Sequence, residues 1–172
     1  MKKILLAISC LISINVSASF VGDGIIESQK GNHAKALELF SKACDNSNAQ
    51  GCNYTAEAYN KGFVVKKDLD KALKYFLKSC DLGLANACLV VARSYYKGEG
   101  VSQSFVKAKD LYARACDDAI VEGCQKAGEI YELGKGIAVD KVKAKNYYKK
   151  SCELGEKKGC NYYKYLVRIG VK

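Results

Sequence analysis

The sequence predicts an all-α fold, an α/α solenoid of four disulfide-clamped helix-turn-helix repeats. Three observations predict it. Cys44, Cys80, Cys116 and Cys152 stand 36 residues apart, and so do Cys52, Cys88, Cys124 and Cys160. The same period runs through Lys35, Lys71, Lys107 and Lys143, through Ala36, Ala72, Ala108 and Ala144, and through Phe40, Phe76, Tyr112 and Tyr148. No proline occurs in the 172 residues, so no ring interrupts a helix. A period in this range, kept through four units, is the signature of stacked supersecondary elements.

Residues 1–18 read as a signal peptide. Lys2 and Lys3 precede an apolar run from Ile4 to Ile14, shorter than the roughly 20 residues that cross a bilayer. Val16-Ser17-Ala18 suits a cut after Ala18, leaving a secreted or periplasmic mature chain without a membrane span. The cut removes Cys10, Lys2 and Lys3. Of nine cysteines eight remain, an even number in a compartment that permits disulfides, and the formal charge falls from +10 to +8.

Residues 19–33 are expected to form an N-terminal capping helix. The solenoid follows over 34–172, with repeats at 34–69, 70–105, 106–141 and 142–172. In the first helix of a repeat, Ala72, Tyr75, Phe76, Ser79 and Cys80 fall at spacings of three and four, which makes one buried stripe. Cys88, Val91, Ala92 and Tyr95 do the same in the second helix, and Gly98 closes it. Asp68, Ser104 and Asp140 share one repeat position and are suited to cap the following helix. Cysteines eight apart on one straight helix would lie about 12 Å apart, beyond the roughly 7 Å that a disulfide allows. The chain must therefore reverse between them if they pair. Cys44–Cys52, Cys80–Cys88, Cys116–Cys124 and Cys152–Cys160 are the simplest connectivity, each closing one helical hairpin at about 2.5 kcal/mol.

The run Gly98-Glu99-Gly100-Val101 followed by Lys107-Ala108, and the fuller run Gly134-Lys135-Gly136-Ile137-Ala138-Val139-Asp140 followed by Lys143-Ala144, resemble the Sel1-like, TPR-like repeat. The Cys-x7-Cys pair in each unit is similar to that of the Helicobacter cysteine-rich protein family. That resemblance implies a secreted, disulfide-clamped protein that binds penicillin-type β-lactams or peptidoglycan-derived ligands and hydrolyses the β-lactam amide slowly. Sel1-like repeats more widely imply the alternative, a non-catalytic scaffold for a protein or peptide partner.

Serine β-lactamases place serine and lysine one helical turn apart, so that the amine helps activate the hydroxyl. Ser94/Lys97 and Ser104/Lys107 match that spacing. Each has a structural reading as well. Ser94 stands where other repeats carry Ala58, Ile130 and Leu166, and Ser104 stands at the capping position. Lys107 recurs in every repeat, and the companion Ser-Asp-Asn and Lys-Thr-Gly elements are missing. His33 is the sole histidine, whereas hydrolytic zinc needs two or three such ligands, so no metal or other cofactor is expected.

The +8 charge suits anionic partners, with Lys42, Lys78, Arg114 and Lys150 forming a stripe along the repeats. A solvated polar face is the preferred reading of that stripe. Nucleic acid is not expected, because the chain is exported and carries no recognised binding module. Tyr96, Tyr148 and Tyr163 are candidates to line a groove, and the chain is expected to be a monomer.

Overall fold

Eight helices follow the capping segment in pairs, and each pair is one helical hairpin. The computed structural model describes residues 19–172. The expected signal peptide, its cleavage site and Cys10 lie outside the described residues. Helix α1 covers 19–29. It is followed by α2 (His33–Asp45), α3 (Ala49–Lys61), α4 (Leu69–Asp81), α5 (Ala85–Lys97), α6 (Phe105–Asp117), α7 (Val121–Leu133), α8 (Lys141–Glu153) and α9 (Lys157–Arg168). No described residue is in a strand, and the expected all-α solenoid of disulfide-clamped repeats is the observed fold. The chain divides into two compact units, one ending at Ala87 and the other covering Cys88–Lys172.

The hairpins are built from small residues. Ala36, Ala72, Ala108 and Ala144 are buried, as are Phe40, Phe76, Tyr112 and Tyr148. At the crossing of α6 and α7, a Cβ on Gly123 would lie 2.7 Å from the Tyr112 carbonyl oxygen and 2.9 Å from Ala115 Cβ. The two backbones therefore approach closely, and the cysteines beside this contact come within bonding range. Cys44–Cys52, Cys116–Cys124 and Cys152–Cys160 are disulfides, with Cα separations of 4.4, 4.6 and 4.4 Å. Cys80 and Cys88 are also disulfide-bonded. The reversal inside each hairpin needs one left-handed residue. Gly83 and Gly155 supply it, while Ser47 and Ala119 adopt it at φ of 60° and 62°.

A second recurring device joins one hairpin to the next. The side chains of Asp68, Ser104 and Asp140 accept from the N–H groups of Lys71, Lys107 and Lys143 and so cap α4, α6 and α8. Their own N–H groups donate to the carbonyls of Tyr59, Tyr95 and Tyr131, each at 2.9 Å. The ammonium groups of Lys71, Lys107 and Lys143 then lie 5.3, 5.0 and 5.3 Å from the ring centroids of the same three tyrosines. The recurring lysine and tyrosine of the sequence are thus partners in a cation–π brace.

Candidate binding site

Helix α7 presents Glu122, Lys126, Glu129 and Leu133 at spacings of four and three, on one face. Arg93 of α5 grips Glu122 with both ends of its guanidinium, Nε donating at 2.7 Å. Around Glu129 the polar groups converge. The Tyr96 hydroxyl donates to it at 2.6 Å, Lys126 at 2.7 Å and Lys135 at 2.6 Å. Lys135 also donates to the Tyr96 hydroxyl. Both ammonium groups lie about 5 Å from the Tyr96 ring centroid, at 5.1 and 4.9 Å. Partial burial pushes the Glu129 carboxyl up, but the hydrogen bonds from Lys126, Lys135 and Tyr96 outweigh it and hold the group at about 2. Lys135 is held above the ordinary lysine range, chiefly by its bond to Glu129.

Next to this network a groove of about 490 Å³ opens along α7, α8 and α9, lined by Gln125, Glu129, Glu132, Leu133, Tyr148, Lys158 and Tyr162 among others. Tyr148 donates its hydroxyl proton to Glu132 at 2.7 Å and stacks on Tyr162 with ring centroids 4.9 Å apart. Burial, then that carboxylate, pushes the Tyr148 phenol well up. Leu133 and Tyr162 are 59% and 49% exposed, so the groove offers apolar and aromatic surface between charged walls. A wider cavity of about 660 Å³ lies in the first unit against Glu27, His33, Lys35, Phe63 and Val64. There the His33 ring meets the edge of Phe63 at 4.8 Å.

The residues singled out from the sequence fall elsewhere. Ser94 is half-buried on α5, and its carbonyl accepts from the N–H groups of Gly98 and Glu99 at the helix end. Lys97 pairs with Glu99 at 3.4 Å. The Ser104 hydroxyl accepts the α6 capping bond from Lys107, whose ammonium sits over Tyr95. The basic stripe is largely ion-paired: Lys42 with Glu38, Lys78 with Asp45, Lys150 with Asp117. Of the three candidate groove tyrosines, Tyr96 anchors the Glu129 network, Tyr148 lines the groove and Tyr163 packs against the core cluster of Ala144, Tyr148 and Leu166.

The sequence reasoning missed Glu122, Lys126, Glu129, Glu132, Lys135 and Tyr162. These residues depart from the repeat, so the period of 36 does not mark them. Glu129 stands where Arg93 stands one period earlier, and Lys135 where Glu99 does. Alternation of charge sign at one repeat position was the signal available.

The family profile of the Sel1 repeat matches residues 17–48, 49–84, 85–119 and 121–156. Among solved structures, a protective antigen present in uropathogenic Escherichia coli strains and displaying an SLR fold aligns with a TM-score of 0.70 at 28% identity, over 81% of this chain and 30% of that one. A Sel1 repeat protein from Oxalobacter formigenes aligns with a TM-score of 0.69 at 24% identity, over 81% and 57%. Helicobacter pylori cysteine rich protein B aligns with a TM-score of 0.55 at 26% identity, over 74% and 92%. The chain thus spans under a third of the first protein and little more than half of the second. No curated protein matches the sequence.

These findings overturn the expectation of penicillin binding and β-lactam hydrolysis. The similarity is to helical repeat proteins, and the described residues include no strand from which a β-lactamase-type sheet could be built. The described residues also include no cluster of histidine, cysteine and carboxylate able to hold a metal. The Ser104 hydroxyl is engaged as a helix cap, and Lys97 and Lys107 are held by Glu99 and Tyr95. Hydrolase, antibiotic-resistance and penicillin-binding readings fall together, and the non-catalytic scaffold is the better supported alternative.

Proposed function

The chain belongs to the Sel1 repeat family, and from that premise we propose that it is a non-catalytic scaffold that binds a protein or peptide partner outside the cytoplasm. The groove along α7, α8 and α9 carries this reading. Its acids and bases largely satisfy one another, which suits complementary contact better than proton transfer, while Leu133 and Tyr162 remain exposed to anchor a partner. No described helix is long and apolar enough to cross a membrane. Placement outside the cytoplasm is supported by disulfide-bonded cysteines in every hairpin and by the leader-like residues 1–18, with cleavage after Ala18 proposed. The proposed domain plan keeps 19–33 as the cap and 34–172 as the solenoid.

A photo-crosslinking amino acid at position 133, in the groove, tests the reading against the same probe at the exposed position 29. The expected result in envelope extract is a saturable protein adduct from position 133 that weakens when Glu132→Lys reverses the groove wall. Identical adducts from both positions, or adducts indifferent to Glu132→Lys, would remove the groove from the binding function.

A further inference from the structure

The positive charge is not spread along the repeats. Residues 19–140 carry sixteen lysines and arginines against sixteen aspartates and glutamates, whereas residues 141–172 carry ten against two glutamates. The whole excess of the folded chain therefore sits on α8, α9 and the few residues after them. Helix α9 contains Lys157, Lys158, Lys164 and Arg168 and no acid, and none of the four forms an ion pair with a described residue.

The geometry of α9 sorts its surface into an inner and an outer side. Gly159 and Leu166 are buried against the hairpin. At about 100° per residue, the opposite side runs through Lys164, Lys157, Arg168, Asn161, Tyr165, Lys158 and Ile169 in one continuous arc. All seven are exposed, and Tyr165 and Ile169 are 44% and 45% accessible. The neighbouring Val167 is 50% exposed.

We infer that the outer face of α9 docks the protein on an anionic phospholipid bilayer. The two kinds of side chain on this face point to that partner together. Lysines without ion pairs, and Arg168, whose guanidinium lies 5.9 Å from the Tyr165 ring centroid, match phosphate headgroups in charge, and their long stems let the charge stay in the headgroup layer. A tyrosine and an isoleucine in the same arc fit the boundary between headgroups and acyl chains, where aromatic rings with a polar tip are favoured. A soluble polyanion would be served by the cations alone and would leave Tyr165 and Ile169 in water. Docking through α9 meets the groove at Lys158, which lies on the edge of both surfaces, but it does not use the groove's Glu132 and Leu133, and none of the residues varied below lines the groove.

Sedimentation with phosphatidylcholine vesicles, with and without phosphatidylglycerol, tests the proposal. Because Ile4 to Ile14 are themselves apolar, the readout is the ratio between variants of one full-length chain. Lys157→Glu/Lys164→Glu/Arg168→Glu is expected to lose at least roughly 100-fold in affinity for the anionic vesicles, from about fivefold for each of the three cations removed, with the three added carboxylates deepening the loss. The milder Lys157→Gln/Lys164→Gln pair, checked by circular dichroism, should lose roughly 20-fold on the same scale. Reversing Lys61, Lys66 and Lys67 gives the same net charge and should leave the affinity near wild type. At high salt, where the ionic part is screened, Tyr165→Ser/Ile169→Ser should release what remains bound. Equal losses from both triple variants, or unchanged binding by the α9 triple, would overturn the proposal. So would full competition by soluble heparin combined with wild-type binding of Tyr165→Ser/Ile169→Ser.

Discussion

Ser79 and Ser151 occupy one repeat position and are both fully buried, yet they differ in what the hydroxyl meets. Ser79 donates to the Ala49 carbonyl at 2.8 Å, tying α4 to the start of α3. Ser151 Oγ has no hydrogen-bond partner among the described residues, and a Cβ on the facing Gly159 would lie 2.4 Å from it. A net hydrogen bond contributes about 1 kcal/mol, while an unmade buried one costs about 1–3 kcal/mol. Ser79→Ala should therefore destabilise by about 1–2 kcal/mol in urea unfolding, and Ser151→Ala should be neutral or stabilising. Equal losses would show that Ser151 has found a partner. Glu129 gives a second test at this scale. Its folded carboxyl, at about 2, lies below the ordinary 4.5, so the stability it adds is complete above about pH 4.5 and is lost as pH falls toward 2. The side chain is 28% exposed, and solvent screens part of that gain. Glu129→Gln should cost about 2 kcal/mol at neutral pH, with the gap from wild type closing as unfolding is measured at progressively lower pH. A gap that does not change with pH would show that the carboxylate charge plays no part.

Each helical hairpin turns through a left-handed residue at the same repeat position, and the four occupants are unequal to the task. Gly83 and Gly155 adopt this conformation without a Cβ, whereas Ser47 and Ala119 carry one into it. Left-handed backbone costs a residue with a Cβ about 1–2 kcal/mol, offset in part by the greater freedom glycine loses on folding. Ala119→Gly should thus raise the unfolding free energy by about 0.5–1 kcal/mol, read from the shift of the urea midpoint at unchanged slope. A lower midpoint would mean that the disulfide beside the turn already absorbs the strain. Turns of this kind were legible in the sequence because glycine, aspartate and asparagine sit between paired cysteines. The caps at Asp68, Ser104 and Asp140 were legible for the same local reason. The network around Glu129 was not. Its members come from α5, α7 and the loop after α7, and Tyr96 and Lys135 are 39 residues apart in the chain. A period of 36 shows which positions are alike, but the lateral contacts between repeats depend on which charge each unit places there. Arg93 with Glu122 and Lys126 with Glu129 are choices of individual units, invisible to a search for recurrence.

Over the whole molecule the repeats are alike in backbone and unlike in charge, so two proteins of equal net charge can behave differently at a charged surface. Sixteen cations balance sixteen anions over 19–140, and most of the ion pairs made there are short and local, such as Lys42 with Glu38 and Lys61 with Glu57. Local pairs of this sort add little stability. They do cancel the field a few ångströms away, so this part of the chain presents little net potential. Over 141–172 the acids are too few for such cancellation, and the potential there is set by a cluster of exposed ammonium groups. Reversing Lys157, Lys164 and Arg168 and reversing Lys61, Lys66 and Lys67 change the formal charge by the same amount. A protein that bound by net charge alone would elute equally early from a cation-exchange column in either form. A protein that binds through one patch should elute much earlier when α9 is reversed, and only slightly earlier when the first unit is. Coincident elution of the two triple variants would mean that the ten cations near the C-terminus act as diffuse charge and not as a surface.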